Sequence, residues 1–244
     1  MDDKPPHPDQ AQKLLHYLLK RINRAIREFR QIEDGDRVAV ALSGGKDSRT
    51  LLEALCCQRR YTPERYEVIA LHVVGTSAGF PDLRPELEPW LERLGVPYEF
   101  VPLELPPGEP RPLSCFRCSW NRRKALFLAA DRLGCNKLAF GHHADDAAAT
   151  VLMNLAYQGR LEPLWPRLRF FEGRITLIRP LIYVEEREIR RYARAVGYPE
   201  ASWVCLQGTV SKRHRMKALL QELTRENRHV RANLWRAARR AAGF

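Results

Sequence analysis

The residues best suited to chemistry lie in one short run, Ser43-Gly44-Gly45-Lys46-Asp47-Ser48. Gly44 and Gly45 lack a Cβ, so the backbone there can bend sharply and approach a ligand closely. Ser43 and Ser48 add hydroxyl donors, and Lys46 adds a full positive charge. A helix is expected from about Ser48, so the turn opens onto a helix N-terminus, where free N–H groups and the helix dipole favour an anion. This is a phosphate cradle. It differs from the common nucleotide loop, which needs Gly, four residues and then Gly-Lys-Ser/Thr. Asp47 would repel phosphate unless a divalent cation bridged the two.

A second group is the Cys115-Phe116-Arg117-Cys118 pair just before an expected helix, with Cys205 in a turn-rich segment far along the chain. A Cys-x-x-Cys can be a redox dithiol, half a zinc site or part of an iron–sulfur site. Structural zinc normally takes four ligands. Three thiolates on a cubane cluster leave one iron open, and zinc with a histidine or water as fourth ligand competes with that reading. Cys56, Cys57 and Cys135 read as packing residues.

A third group is Gly141-His142-His143-Ala144-Asp145-Asp146, which follows an expected strand over Lys137–Phe140. The adjacent carboxylates could serve metal or substrate, although Asp146 would also suit the cap of the next helix. Gly141 would permit close approach of a nucleotide, and one of the two histidines could touch ligand. Lys137 could point at a reacting group or keep a packed stem and a solvated head. His72, in another expected strand, could contact the nucleotide, and Arg179, before Pro180, is a candidate phosphate contact. Phe116 and Trp120 could shield the cysteine pair or simply pack.

The elements that must position these groups alternate. The apolar run from Val38 to Leu42 is too short for a helix and reads as a buried parallel strand. Strands are also expected over Tyr66–Val74, Tyr98–Val101, Lys137–Phe140 and near Ile175–Ile178. Helices are expected over 11–30, Leu83–Leu94, Asn121–Leu133, about Asp146–Gln158 and about Glu185–Val196, with a helical tail over 212–240. The segment Gly159–Phe171 resists assignment. Residues 102–113 form a proline-rich connection. Strands alternating with helices imply an α/β fold, a doubly wound, mostly parallel sheet whose ligands gather at the C-terminal strand ends.

The chain has 244 residues and a net charge of +12, which suggests a polyanionic partner beyond a nucleotide. The charge concentrates in two terminal segments, from Lys13 to Arg30 and from Lys212 to Arg240. Flanking a nucleotide-binding domain, these would suit a structured RNA, unless they are only solvated helix faces. No apolar run approaches the roughly 20 residues of a membrane span, and the polar, proline-containing N-terminus is no secretory signal. A cytoplasmic location without membrane association is expected, in which disulfides are rare.

Ser43–Ser48 resembles the pyrophosphate loop (PP-loop) of the ATP pyrophosphatase superfamily, whose fold is adenine nucleotide α-hydrolase-like. Together with Cys115/Cys118, Gly141–Asp146 and Ile178-Arg179-Pro180-Leu181, in that order and spacing, the chain is similar to the TtcA family from about residue 14 to residue 210. That resemblance implies a tRNA sulfurtransferase that uses ATP and Mg2+ to activate C2 of a cytidine in the anticodon loop and replaces its oxygen by sulfur. It implies a [4Fe-4S] cluster on Cys115, Cys118 and Cys205, a sulfur donor (a cysteine desulfurase or sulfide), and leaves a homodimer open. Catalytic roles are expected for Lys46, Asp47, Asp145 and Lys137, and nucleotide contacts for Ser43, Gly44, Gly45, Ser48, His72 and Gly141. Two departures stand out. Only Cys205 occupies the place where many members carry a second Cys-x-x-Cys, and Val74-Gly75-Thr76 replaces a common aspartate, leaving the modified base open. The expected organisation is a basic helical segment over 1–34, the catalytic domain over 35–210 and a basic helical tail over 211–244. The alternatives are an adenylating ligase of the lysidine synthetase type and a zinc-stabilised, non-catalytic RNA-binding protein.

Overall fold

The computed structural model describes residues 8–109, 113–199 and 212–243. Its centre is a six-stranded sheet in the order β3-β2-β1-β4-β6-β5. The strands are β1 (Arg37–Ala41), β2 (Glu67–Val74), β3 (Tyr98–Pro102), β4 (Lys137–Ala139), β5 (Arg167–Phe170) and β6 (Ile175–Ile178). All pairings are parallel except β5 with β6. The helices are α1 (Pro8–Glu28), α2 (Lys46–Gln58), α3 (Arg84–Leu94), α4 (Cys115–Arg132), α5 (Ala144–Gln158), α6 (Glu186–Val196), α7 (Lys212–Glu226) and α8 (Val230–Ala241). None of the described helices is long and apolar enough to cross a membrane.

The central strands read as unbroken apolar runs because both sheet faces are covered. Val38, Val40, Val68 and Ala70 pack into a core with Leu51, Leu55, Leu87, Leu91 and Ile189 from the helices of one face. Ala39, Ile69, Leu71 and Leu138 face the other way, onto Leu126, Ala129 and Ala130 of α4. α1 belongs to the first core through Leu18, Ile22 and Ile26, spaced so that one stripe is buried and the cations lie outside it. A smaller cluster of Ala25, Ala147 and Ile182 joins α1 to α5, with Trp235 of α8 packed against it.

Element boundaries shift where they matter. α4 starts at Cys115, so the Cys-x-x-Cys forms the first helical turn instead of preceding the helix. α2 starts at Lys46 and α5 at Ala144, each about two residues before the expected start. The unassigned segment contains β5, a short edge strand antiparallel to β6. The basic tail is two helices broken at Asn227–His229. Cys205 lies outside the described residues.

Candidate active site

β1 ends at Ala41, Leu42 still donates to Leu71 O at 2.8 Å, and the chain then turns at Gly44 with φ +86°. That left-handed conformation favours glycine, and a Cβ there would also displace the end of the Leu83 side chain, whose Cδ1 would lie 2.7 Å away. Gly45 caps α2 without a side-chain hydrogen bond, which leaves the first-turn N–H groups for a ligand. Ser48 Oγ donates to Gly45 O at 2.9 Å and accepts from Ser43 N at 3.1 Å. Its single proton being spent on Gly45, Ser43 Oγ is the donor in the 3.1 Å contact between the two hydroxyls. Ser48 therefore braces the loop, and the hydroxyl expected to serve a ligand is used internally. Arg49, buried under the loop, holds Gly44 O at 2.9 Å through Nε and pairs with Glu86.

Lys46 Nζ sits 3.2 Å from both Asp47 Oδ1 and Glu186 Oε1. Burial pushes the Glu186 carboxyl up, but its Arg190 hydrogen bond and the nearby Lys46 and Lys217 outweigh this and hold it at about 2. Glu186 stays an anion and holds Lys46 across the loop.

Two cavities flank the loop and share Ser43, Val73 and Arg122. The smaller, about 240 Å³, is bounded by Gly44, Gly45, His72 and Phe80. The His72 ring Nδ1 lies 2.8 Å from Leu42 O, an acceptor, so Nδ1 carries the proton and Nε2 is the free acceptor. Burial lowers the pKa of His72 and keeps it neutral. The larger, about 440 Å³, brings Asp47 and Asp146 together with Arg122, Arg123, Arg179 and Arg213.

Asp146 and Asp145 face different partners. Asp145 accepts from Glu186 N at 2.7 Å and from Arg231 Nε at 2.5 Å, so it ties α5 to α6 and α8 and does not line the larger cavity. Asp146 lines that cavity. Its Oδ2 accepts from His143 N at 3.1 Å, closing the capping box of α5, and its Oδ1 takes Lys217 Nζ at 2.7 Å. Burial raises the Asp146 pKa, but His143 and Lys217 outweigh it and hold the carboxyl well below the ordinary range. The pKa of His142 is lowered as well, which for an imidazole favours the neutral form. Burial, then the charge of Arg179, pushes it down to about 3, and it accepts from Arg179 Nε at 3.3 Å through Nδ1.

Lys137 lies apart from these groups. It opens β4 opposite Val38, at the N-terminal end of the sheet, whereas the loop leaves the C-terminal end of β1. Its ammonium lies 3.4 Å from Asp36 and 3.6 Å from Glu33 in a buried position. Gly141 lines the larger cavity and also serves packing. A Cβ there would meet Asp47 C at 3.1 Å and Ser48 N at 3.2 Å, so its bareness lets β4's exit pack against the start of α2.

Cys115 is exposed and Cys118 half-buried, one turn apart on α4. Ser114 caps the helix by accepting from Arg117 N at 3.3 Å, and Arg117 grips Glu109 through Nε at 2.6 Å. Among the described residues, no group of three His, Cys, Asp or Glu side chains is placed to hold a metal ion. The donor set of Cys115 and Cys118 nevertheless fits two ligands of a thiolate-bound cluster, the third expected ligand, Cys205, lying outside the described residues. Asp47 Oδ1 is buried and accepts no hydrogen bond, its charged neighbour being the Lys46 ammonium at 3.2 Å, and a hard cation suits such an oxygen.

Arg122, Arg213, Glu186 and Lys217 complete the site and were not among the residues expected from sequence. Arg122 stands two turns after Cys115 on the same face of α4, a spacing that carries meaning once Cys115 begins the helix. On the far side of α5's first turn, Ala144 and Ala147 floor a cleft of about 630 Å³ between α1 and α8. Arg21 and Arg24 come from α1, and Arg236 and Arg240 from α8, so the two basic terminal segments meet in one place.

No family model matches the sequence. Over 227 residues the chain is 40% identical to a tRNA-cytidine(32) 2-sulfurtransferase of Geobacter sulfurreducens, covering 88% of this chain and 86% of the relative. It is 40% identical over 238 residues to the protein of that name in Syntrophotalea carbinolica, covering 93% of this chain and 90% of the relative. Among solved structures, the U34-tRNA thiolase NcsA from Methanococcus maripaludis with its [4Fe-4S] cluster matches with a TM-score of 0.72 at 22% identity, covering 97% of this chain and 84% of that one. At that identity the likeness is one of fold.

Proposed function

The chain belongs to the tRNA-cytidine(32) 2-sulfurtransferase family, and on that premise we propose that it is an ATP-dependent enzyme that replaces O2 of cytidine 32 in tRNA by sulfur. One observation carries the assignment of roles: Asp47 of the glycine loop and Asp146 share an arginine-lined cavity whose wall is built by α4, the helix that begins at Cys115. The sulfurtransferase relatives favour thiolation over the ligase and zinc-binding alternatives.

A carbonyl oxygen is a poor leaving group. In the first step the base oxygen attacks the α-phosphorus of ATP, its bond to phosphorus forms and the bond to pyrophosphate breaks. The free N–H groups at the start of α2 and the Lys46 ammonium receive the charge that builds on the departing pyrophosphate. In the second step a sulfur nucleophile attacks C2 and AMP leaves with the oxygen. The guanidinium groups of Arg122, Arg123 and Arg213 face the cavity where this anion separates. Neutral His142 and the Arg179 it holds set that wall without adding a proton to compete for the base. His72, with Nε2 free as acceptor beside Gly44 and Gly45, suits an exocyclic amine or hydroxyl of the nucleotide in the smaller cavity.

Two groups would be supplied from outside the chain. Mg2+ on Asp47 and Asp146 would neutralise phosphate charge in the larger cavity. A [4Fe-4S] cluster on Cys115, Cys118 and Cys205 would offer an open iron to hold the sulfur. The meeting of Arg21, Arg24, Arg236 and Arg240 in one cleft supports tRNA as the partner, since a row of guanidinium groups matches a phosphodiester backbone. Anaerobic purification with iron and zinc analysis tests the cluster assignment. About four irons per chain and absorbance near 400 nm, lost in Cys115→Ser and Cys118→Ser, support it; stoichiometric zinc without iron removes it.

A further inference from the structure

The outer face of α4 carries two large exposed aromatic side chains. Phe116 is 71% exposed and Trp120 42% exposed, and they stand one turn apart on the same face of the helix. Cations frame them. The Arg117 guanidinium lies 5.1 Å and the Lys124 ammonium 5.6 Å from the centre of the Trp120 ring. Arg117 is neutralised by Glu109, whereas Arg122 lies over the Phe80 ring and Arg123 donates to Ser119, neither pairing with a carboxylate among the described residues. Lys124 over the Trp120 ring, with Arg123 one turn after Trp120 and turned to the cavity, puts positive charge beside exposed rings. They match a single-stranded polyanion with flat bases.

The shelf adjoins the catalytic cavity. Ser119, Arg122 and Arg123, on the same helix, line that cavity, so Trp120 stands at its rim. A base that enters the cavity must leave its stack, and its neighbours then lose a stacking partner. An aromatic surface at the rim replaces that partner, which is how unpaired RNA loops are generally held.

We propose that Phe116 and Trp120, with Lys124, form a stacking shelf for the unpaired nucleotides that flank the target cytidine. The proposal rests on the tRNA reading given above. It assigns RNA loop recognition to α4, separate from backbone contacts in the α1–α8 cleft.

The test uses the full-length protein with wild type, Trp120→Ala, Trp120→Phe and Lys124→Ala compared side by side. Thiolation kinetics and equilibrium binding of tRNA are measured across a salt series. ATP binding and iron content are measured on every variant, so that a loss of nucleotide or cluster is separated from a loss of RNA binding. Trp120→Ala should raise the KM and Kd for tRNA about tenfold with the salt slope intact, while Trp120→Phe stays within about twofold. Lys124→Ala should lower the salt slope by about one. Wild-type KM and Kd in Trp120→Ala, or equal losses in Trp120→Phe and Trp120→Ala, would overturn the shelf while leaving the enzymatic reading intact. A wild-type protein that neither binds nor thiolates tRNA would overturn that reading itself.

Discussion

The ammonium of Lys217 lies 2.7 Å from Asp146 Oδ1, so a residue of the basic tail completes the charge balance of the catalytic cavity. Asp146 also faces Asp47 across that cavity, and without Lys217 it would be a buried carboxylate held by His143 alone. Lys217→Gln should therefore cut kcat tenfold or more while changing tRNA affinity less than about threefold, with stability falling about 1–2 kcal/mol. Steady-state kinetics, tRNA binding and urea unfolding check this. A variant that loses tRNA affinity but keeps kcat would make Lys217 part of the RNA footprint instead.

Gly141 and Gly45 separate packing from ligand approach. A Cβ on Gly141 would press on Asp47 C and O at 3.1 and 3.2 Å, backbone atoms that cannot swing away. Gly141→Ala should cost about 1–3 kcal/mol and impair ATP turnover by displacing the start of α2. A Cβ on Gly45 would meet only Ser43 Oγ, at 3.6 Å. Gly45→Ala should fold normally, so any rise in its KM for ATP reports the closeness of the nucleotide to that backbone. Thermal unfolding and ATP kinetics on both variants distinguish the two effects.

Acid should destabilise the ligand-free, metal-free protein through groups of this site. His142 is held down to about 3 from its ordinary 6.5, and Glu186 to about 2 from 4.5. Between the native and ordinary values the unfolded chain binds the proton and the native chain does not. Stability is therefore complete above pH 6.5 for His142, falls as pH drops toward 3, and falls more steeply below 4.5 as Glu186 adds its share. Urea unfolding at stepped pH checks the direction. His142→Gln should flatten the upper part of the decline, between pH 6.5 and 4.5.

The arginine cleft predicts a salt signature. Arg236 and Arg240 are exposed, one turn apart on α8, and make no ion pair among the described residues, whereas Arg239 beside them is held 2.6 Å from Glu28. Arg236→Ala combined with Arg240→Ala should weaken tRNA binding and reduce the slope of log affinity against log salt by about two. Filter binding over a salt series measures it. An unchanged slope would take the RNA backbone out of the cleft.

Much of the architecture was legible because local signals agreed. Val38 to Leu42, the glycine pair and the apolar face of α2 all point to one strand–loop–helix unit, and α1's buried stripe is plain in the spacing of Leu18, Ile22 and Ile26. β5 was not legible, since Arg-Leu-Arg-Phe is short and partly polar and is defined by its pairing with β6. The position of Lys137 within β4 follows from sequence order alone. It opens its strand, and ligands gather where parallel strands end, nearer Gly141. Asp145 and Asp146 differ in role because adjacent helix residues point about 100° apart, and the sequence does not say which faces the loop. Lys217 and Arg213 reach the site through the tertiary placement of a tail whose charges read equally well as a solvated face.

The most direct test is mass spectrometry of the tRNA itself. Cytidine-32-containing tRNA is incubated anaerobically with the reconstituted protein, ATP, Mg2+ and a sulfide source, then digested and sequenced by fragment mass. The account predicts one sulfur in place of one oxygen, on the cytidine at position 32, absent without ATP and absent in Lys46→Ala and Cys115→Ser. A cytidine that stays unmodified in protein carrying its full cluster, or one that gains an amine-linked adduct instead of sulfur, would contradict it.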